Sequence, residues 1–113
     1  MYKRQLSTHV LDTVAGAPAA GIPVALELVD ADGRATPAGA ASTDADGRVG
    51  ALNAAPLAPG RYRLTFSAGE YFAARHGSAF YPRILLEVEL FDRDHFHVPV
   101  LAGTYSYSTY LGS

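Results

Sequence analysis

A chain of 113 residues, 49% of them hydrophobic, is long enough for one domain with a buried core, and we expect residues 1–113 to form that single domain. Its lack of cysteine excludes disulfides, thiolate catalysis and cysteine-based zinc sites, and with no signal-peptide or membrane-length apolar run it predicts a cytoplasmic protein. A formal net charge of -2, with no basic cluster longer than Lys3-Arg4, gives no electrostatic basis for binding nucleic acid or an anionic membrane.

Alternating apolar and polar residues predict three strands in the first half of the chain. They lie at residues 6–13, 22–29 and 34–42, the last of them weak. Glycine, proline and Asp-Gly pairs predict turn regions at 15–21, 30–33 and 43–49. The last of these turns leaves Arg48 directly after a glycine.

The second half begins with a proline-containing loop at residues 53–60. Strict alternation then predicts a strand over 61–67, and the spacing of apolar residues predicts about two turns of helix over 68–76. A long strand over 81–91 follows, and a charged turn at 92–94 ends it.

The tail, residues 95–113, predicts two further strands with a turn at 102–104. In its first strand, alternation separates an apolar face from a face that carries His95 and His97. Its second part presents small hydroxyls and phenols. Such residues suit a polar cleft shared with a partner better than bulk water.

Seven or eight short strands, separated by Gly, Pro and Asp turns and joined by one short helix, are typical of an antiparallel β-sandwich. The expected fold class is therefore all-β. The uncharged tail strand would form a poorly protected sheet edge, which favours pairing with another chain.

No contiguous catalytic or nucleotide-binding motif is present, so the candidate residues are dispersed. His9 and His97 each lie in the middle of a predicted strand, on a face whose other members are small or apolar. Two neighbouring imidazoles could share general acid and base roles near neutral pH. Arg48 could hold an anionic substrate or a developing oxyanion.

Each of these residues also has a plainer interpretation. A lone strand histidine is usually a partly buried hydrogen-bonding residue, and Arg48 after an Asp-Gly pair is usually a solvated turn residue. His95 and His97 point the same way and could form a metal-binding dyad, with His9 as a third ligand. His76 ends the predicted helix, where a cation suits the macrodipole, and we assign it no catalytic role.

Several segments together carry a family resemblance. The chain contains LSTHVLDT, TDADGR, APGRYRLTFSAGEYFAAR, FYPRILLEVEL, HFHVPVL and YSYSTYLGS, in that order and over nearly its whole length. With these segments it resembles the transthyretin-related family, and in particular its enzymatic branch, the 5-hydroxyisourate hydrolases of urate breakdown. The combination of LSTHVLD, HFHVPVL and the final YSTY-x-GS is specific, whereas each segment alone is weak.

The resemblance implies a site and an assembly. Its catalytic residues would be His9, Arg48 and His97. The family's Tyr-Arg-Gly-Ser tetrapeptide would contribute to substrate binding, and here it reads Tyr110, Leu111, Gly112 and Ser113. The family forms homotetramers, as dimers of dimers, whose active sites lie in clefts between dimers. The resemblance implies a small purine-derived substrate and neither metal nor organic cofactor.

The implied reaction opens the ring of 5-hydroxyisourate by attack of water, giving 2-oxo-4-hydroxy-4-carboxy-5-ureidoimidazoline. One of the two histidines would activate the water, and the sequence does not decide which. Leu111 departs from the family pattern, because the arginine expected there could form forked hydrogen bonds to a polar ring and leucine cannot. If that arginine acts on developing charge, its loss costs on the order of a hundredfold or more in rate.

Two other functions remain open from the sequence. Transthyretin itself carries hydrophobic ligands between dimers, and Leu111 would favour such a non-enzymatic binding role. His9, Arg48 and His97 argue against it. A purely structural sandwich would use the tail only for assembly, and histidine substitutions would then change stability or oligomeric state alone.

Overall fold

Residues 4–113 are described by a computed structural model with nine strands and one short helix. Lys3 of the Lys3-Arg4 pair lies outside these residues. The strands are β1 (Gln5–Asp12), β2 (Ala17–Pro18), β3 (Pro23–Val29), β4 (Ala35–Ser42), β5 (Arg48–Val49), β6 (Gly60–Phe66), β7 (Ile84–Leu90), β8 (His95–Ala102) and β9 (Tyr107–Thr109). The helix α1 (Gly69–His76) lies between β6 and β7.

The strands form two sheets. One has the order β2-β1-β8-β9, with β5 also pairing with β1, and the other has the order β4-β3-β6-β7. All pairs are antiparallel except β1 with β8, which run parallel through eight paired positions. This long parallel pair joins the start of the chain to its tail and positions the candidate site.

One hydrophobic cluster fills the space between the sheets. It follows from the alternation of the strands, since apolar residues at every second position meet on the inner faces. Among its fully buried side chains are Leu6, Val10, Leu26, Leu64, Phe66 and Val100. The other face of β1 and β8 carries Ser7, His9, His95 and His97.

The predicted sandwich and its helix are confirmed, with differences at the ends of elements. Only residues 84–90 of the strand predicted over 81–91 pair as β7, because Pro82 lacks an amide donor for the ladder. The two-residue strands β2 and β5 lie within the predicted turn regions. The parallel pairing of β1 with β8 was not expected, because alternation reports which face a residue occupies and not the direction of its neighbour.

The turn that carries Arg48 is built by its own sequence. Oδ1 of Asp44 accepts the backbone N–H groups of Asp46 and Arg48, each at 2.9 Å. Gly47 has φ +75°, and a Cβ there would lie 2.5 Å from the carbonyl oxygen of Val10. Glycine therefore permits both the turn and its close approach to β1.

No helix within residues 4–113 is long and apolar enough to cross a membrane.

Candidate active site

The outer face of the β1–β8 pair carries the candidate residues. In the parallel register Ser7 is opposite His97, and His9 is opposite Pro99. His9 is also paired with Arg48 of β5, on the other side of β1. Three segments that are distant in sequence therefore bring His9, Arg48 and His97 to one region of one sheet.

A buried hydroxyl connects two imidazoles on this face. The Oγ atom of Ser7 lies 2.8 Å from Nδ1 of His97 and 3.0 Å from Nε2 of His95. Ser7 is 7% exposed, whereas His95 is exposed and His97 is half-buried. The orientation of the His97 ring is thus held through its Nδ1 side.

His9 lies beside this arrangement with a free polar atom. Within residues 4–113, its Nε2 is the buried side-chain polar atom that lacks a hydrogen-bond partner. A buried polar group without a partner is costly, and in native proteins it calls for an explanation such as a functional role. His9 is therefore placed to bond a polar group that enters from the outer face.

The surroundings of His97 favour its neutral form. Burial lowers its pKa most, and electrostatic interactions with His9, His95 and Arg48 lower it further. A histidine whose pKa is below its ordinary value is available as a base at neutral pH. Two of these neighbours, His9 and Arg48, are predicted catalytic residues, so the three predicted residues are close enough to interact electrostatically.

The tail returns to His97 at Gly112. The backbone N–H of Gly112 donates to the carbonyl oxygen of His97 at 2.8 Å. The Arg93 guanidinium holds this segment, since its Nη2 donates to the carbonyl oxygen of Gly112 at 3.0 Å and its Nε to that of His95 at 2.9 Å. Gly112, one of the four predicted substrate-binding residues, is buried and in contact with His97.

Two other members of that tetrapeptide face a groove between β7 and β8. Tyr110 and Leu111 line an apolar groove of about 430 Å³ that β7 and the inner faces of Phe96 and Val98 complete. Leu111 is 51% exposed, and Ser113 is also exposed. Within the chain, the side chain of Leu111 lies in this groove and not on the histidine face.

The metal-binding alternative finds no support in the side chains that the structure describes. Among residues 4–113, no group of three or more His, Cys, Asp or Glu side chains is arranged to hold a metal ion. The ring nitrogens of His95 and His97 that face each other are separated by the Ser7 hydroxyl.

His76 belongs to a different region. Its Nε2 lies 2.7 Å from Oδ2 of Asp12, which also accepts the hydroxyl of Tyr71 at 2.9 Å. Oδ1 of Asp12 accepts the backbone N–H groups of Val14 and Ala15. This fully buried carboxylate connects α1 to the end of β1 through hydrogen bonds. The contacts of His76 therefore stabilise the fold and lie outside the candidate site.

Two residues of the site were missed by sequence reasoning. Alternation placed Ser7 on the same face of the first strand as His9. Nothing in the sequence indicated that Ser7 contacts His97. Arg93 was interpreted as part of a charged turn, and its two backbone contacts depend on the return of the tail. Neither contact has a local sequence signal.

Comparisons with known proteins agree on one family. A model of the HIUase/Transthyretin family matches residues 6–112. The 5-hydroxyisourate hydrolase of Salmonella typhimurium is 42% identical over 110 residues, which cover 96% of this chain and 80% of that protein.

Solved structures give the same result. The structure of Klebsiella pneumoniae 5-hydroxyisourate hydrolase has a TM-score of 0.86 and 36% identity, and covers 97% of this chain and 99% of its own. Transthyretin from Sparus aurata has a TM-score of 0.87 at 23% identity, covering 96% of each chain, and shows likeness of fold alone.

Proposed function

Because the chain belongs to the HIUase/Transthyretin family, we propose that it is a 5-hydroxyisourate hydrolase that uses His9, Arg48 and His97. The observation that carries this proposal is the pair of imidazoles on one outer face. His97 has its Nδ1 held by Ser7, and His9 has a buried Nε2 without a partner. An apolar ligand could not supply a hydrogen-bond partner for this atom of His9.

The proposed reaction begins with a water molecule near His97. The neutral imidazole takes a proton from the water through Nε2, and the water oxygen bonds to a ring carbonyl carbon of the substrate. Arg48 stabilises the oxyanion that forms, as a positive charge beside developing negative charge. The ring C–N bond then breaks, and the imidazolium returns its proton to the leaving nitrogen.

In this scheme His9 binds the substrate through its unpaired Nε2. The polar edge of a purine-derived ring offers both donors and acceptors, so either neutral tautomer of His9 finds a partner there. No nucleophilic side chain and no cofactor take part, since water supplies the attacking oxygen.

Leu111 is compatible with this proposal. Its side chain lies in the apolar groove, away from the face that carries His9 and His97, and Arg48 provides a guanidinium close enough to influence His97. The proposal therefore assigns the anion-stabilising role to Arg48. Gly112 and Ser113 keep their proposed part in shaping the substrate site, and Tyr110 would take part through the assembly proposed next.

We also propose that the single domain assembles as a homotetramer, a dimer of dimers, in the cytoplasm. Support comes from the unpaired edges of β7 and β9 and from exposed large side chains near them, among them Phe80, Leu85 and Tyr110. If the β1–β8 sheets of two chains face each other with their outer sides, the histidine face would be enclosed in a cleft.

The test is the disappearance of freshly generated 5-hydroxyisourate, followed by its ultraviolet absorbance with and without the purified parent chain. We expect the protein to increase the rate well above that of spontaneous decay, in proportion to protein concentration. A rate equal to the spontaneous one would refute the enzyme. Saturable binding of a small aromatic ligand without turnover would instead support the carrier role.

A further inference from the structure

The Ser7 hydroxyl has two imidazole neighbours and one proton. Ser7 is buried in β1, and its Oγ lies within hydrogen-bond distance of Nδ1 of His97 and Nε2 of His95. A hydroxyl donates one hydrogen bond and accepts up to two. The two imidazole nitrogens therefore cannot both be unprotonated and both be bonded to it.

Two arrangements use the hydroxyl fully when both imidazoles are neutral. In one, Ser7 donates to His97 and accepts from His95. In the other, Ser7 accepts from Nδ1 of His97 and donates to Nε2 of His95. The tautomers of the two histidines are therefore coupled through one oxygen atom, and only the second arrangement leaves Nε2 of His97 without a proton.

We propose that Ser7 is a positioning residue of the reaction, which accepts the Nδ1 proton of His97 and donates its own proton to Nε2 of His95. This inference rests on the proposed function, because the hydrolysis requires a bare Nε2 on His97. Ser7 forms no covalent bond in it. The hydroxyl selects the reactive tautomer and fixes the direction in which Nε2 points.

The same arrangement serves the charged intermediate. When His97 takes a proton at Nε2, its Nδ1 proton keeps Oγ of Ser7 as its acceptor, and Ser7 keeps His95 as its own acceptor. The hydrogen bond that the protonated ring donates is stronger than the one that the neutral ring donates. The bridge therefore favours proton transfer to His97 without itself becoming charged.

His95 has the lesser part in this bridge. Its side chain is exposed, so a water molecule can accept the Ser7 proton when the imidazole is removed. Ser7 is buried, so no such replacement is open to Nδ1 of His97 when the hydroxyl is removed. We therefore expect a much smaller effect from His95→Gln than from Ser7→Ala.

The kinetic test compares Ser7→Ala with Ser7→Thr, and uses Ser42→Ala, an exposed serine in the other sheet, as the matched control. Ser7→Ala should lower kcat about 10-fold to 100-fold with KM changed less than about threefold, within the range of general acid–base contributions. Ser7→Thr, which restores a hydroxyl, should recover much of the loss. Ser42→Ala should stay within about threefold of the parent, and His95→Gln should lower kcat less than Ser7→Ala does.

A spectroscopic test reads the tautomer without any turnover. In protein with ¹⁵N-labelled histidine, with His97 assigned from His97→Gln, the neutral ring should carry its proton on Nδ1 in the parent and lose that preference in Ser7→Ala. A parent without activity would refute the hydrolase while the spectra still report on Ser7. An Nε2-protonated His97, or a Ser7→Ala variant with parental kcat and an unchanged tautomer, would overturn the inference.

Discussion

Gly112 donates its backbone N–H to the carbonyl oxygen of His97 at 2.8 Å, and this contact brings the tail against a proposed catalytic imidazole. A Cβ at position 112 would lie 2.9 Å from Cδ2 of His97, closer than side chains tolerate. The position therefore accepts only a residue without a side chain, unless the ring moves.

Gly112→Ala should displace the His97 ring and lower kcat by about tenfold or more, because small misplacements of a reacting group are costly. Steady-state kinetics with 5-hydroxyisourate measure the effect. Gly50→Ala is the control, since nothing lies within 4 Å of a Cβ there. Parental kcat in Gly112→Ala would mean that the ring position is not critical.

Arg93 should hold the tail in place through its two backbone contacts. Arg93→Lys keeps the charge, but an ammonium lacks the planar fork that reaches the carbonyl oxygens of both His95 and Gly112. We expect faster hydrogen exchange at the Gly112 amide and a several-fold lower kcat. Arg83→Lys, at an exposed position, is the control. Unchanged protection of the Gly112 amide would contradict the role of Arg93.

The acidic limb of the pH–rate profile should reflect His97. Its pKa lies below the ordinary value of about 6.5, because of burial first and then of electrostatic interactions with His9, His95 and Arg48. The base therefore stays neutral as the pH falls through 6.5, and kcat/KM should decline with a midpoint below about 6.5. A midpoint at or above this value would contradict the assignment.

Replacing Arg48 should move this midpoint upwards. Arg48→Gln removes one of the repulsive charges, although burial, the larger cause, remains. The rise should therefore be partial and accompany a large loss of kcat. Arg34→Gln is the matched control, because Arg34 ends the other Asp-Ala-Asp-Gly-Arg segment of the chain. If Arg48→Gln and Arg34→Gln changed kcat and the midpoint equally, the proposed role of Arg48 would be contradicted.

Asp12 should stabilise the fold at all but acidic pH. Burial alone would raise its pKa, but hydrogen bonds from Ala15, His76 and Tyr71, with the charge of His76, outweigh burial and lower it. Its contribution is therefore present above the unfolded value of about 3.9 and is lost as the pH falls through the lower folded pKa. Unfolding in urea, measured against pH, should show this dependence.

Asp12→Asn should reduce the free energy of unfolding by about 2 kcal/mol, because Oδ2 accepts from both Tyr71 and His76 and an amide nitrogen cannot. Asp32→Asn, in an exposed turn, should change it by less than about 0.5 kcal/mol. Equal unfolding curves for both variants would show that the buried carboxylate contributes nothing.

Alternation of side chains was sufficient to predict most of the fold, and local turn chemistry predicted its hairpins. It could not predict which of two identical Asp-Ala-Asp-Gly-Arg segments carries the proposed catalytic arginine. Both build the same turn, with an aspartate that accepts two backbone N–H groups. They differ in tertiary packing alone, since a Cβ on Gly33 meets nothing and one on Gly47 meets β1.

The sequence was enough to predict individual candidate residues of the site, but not the contacts that form between residues distant in the chain. His9 and His97 are visible as strand histidines on the non-core side, and the family resemblance joined them. The bridge from Ser7 to His97 depends on parallel pairing between residues 90 positions apart. Arg93 likewise acquires its role only when Gly112 returns beside it.

The central claim is that His9 and His97 perform the hydrolysis. It is tested most directly by kcat/KM for 5-hydroxyisourate in three histidine-to-glutamine variants that are each shown to be folded like the parent. We predict that His9→Gln and His97→Gln each lose at least about a hundredfold. His76→Gln, which changes a histidine outside the site, should remain within about threefold of the parent. Parental rates in both His9→Gln and His97→Gln would contradict the account.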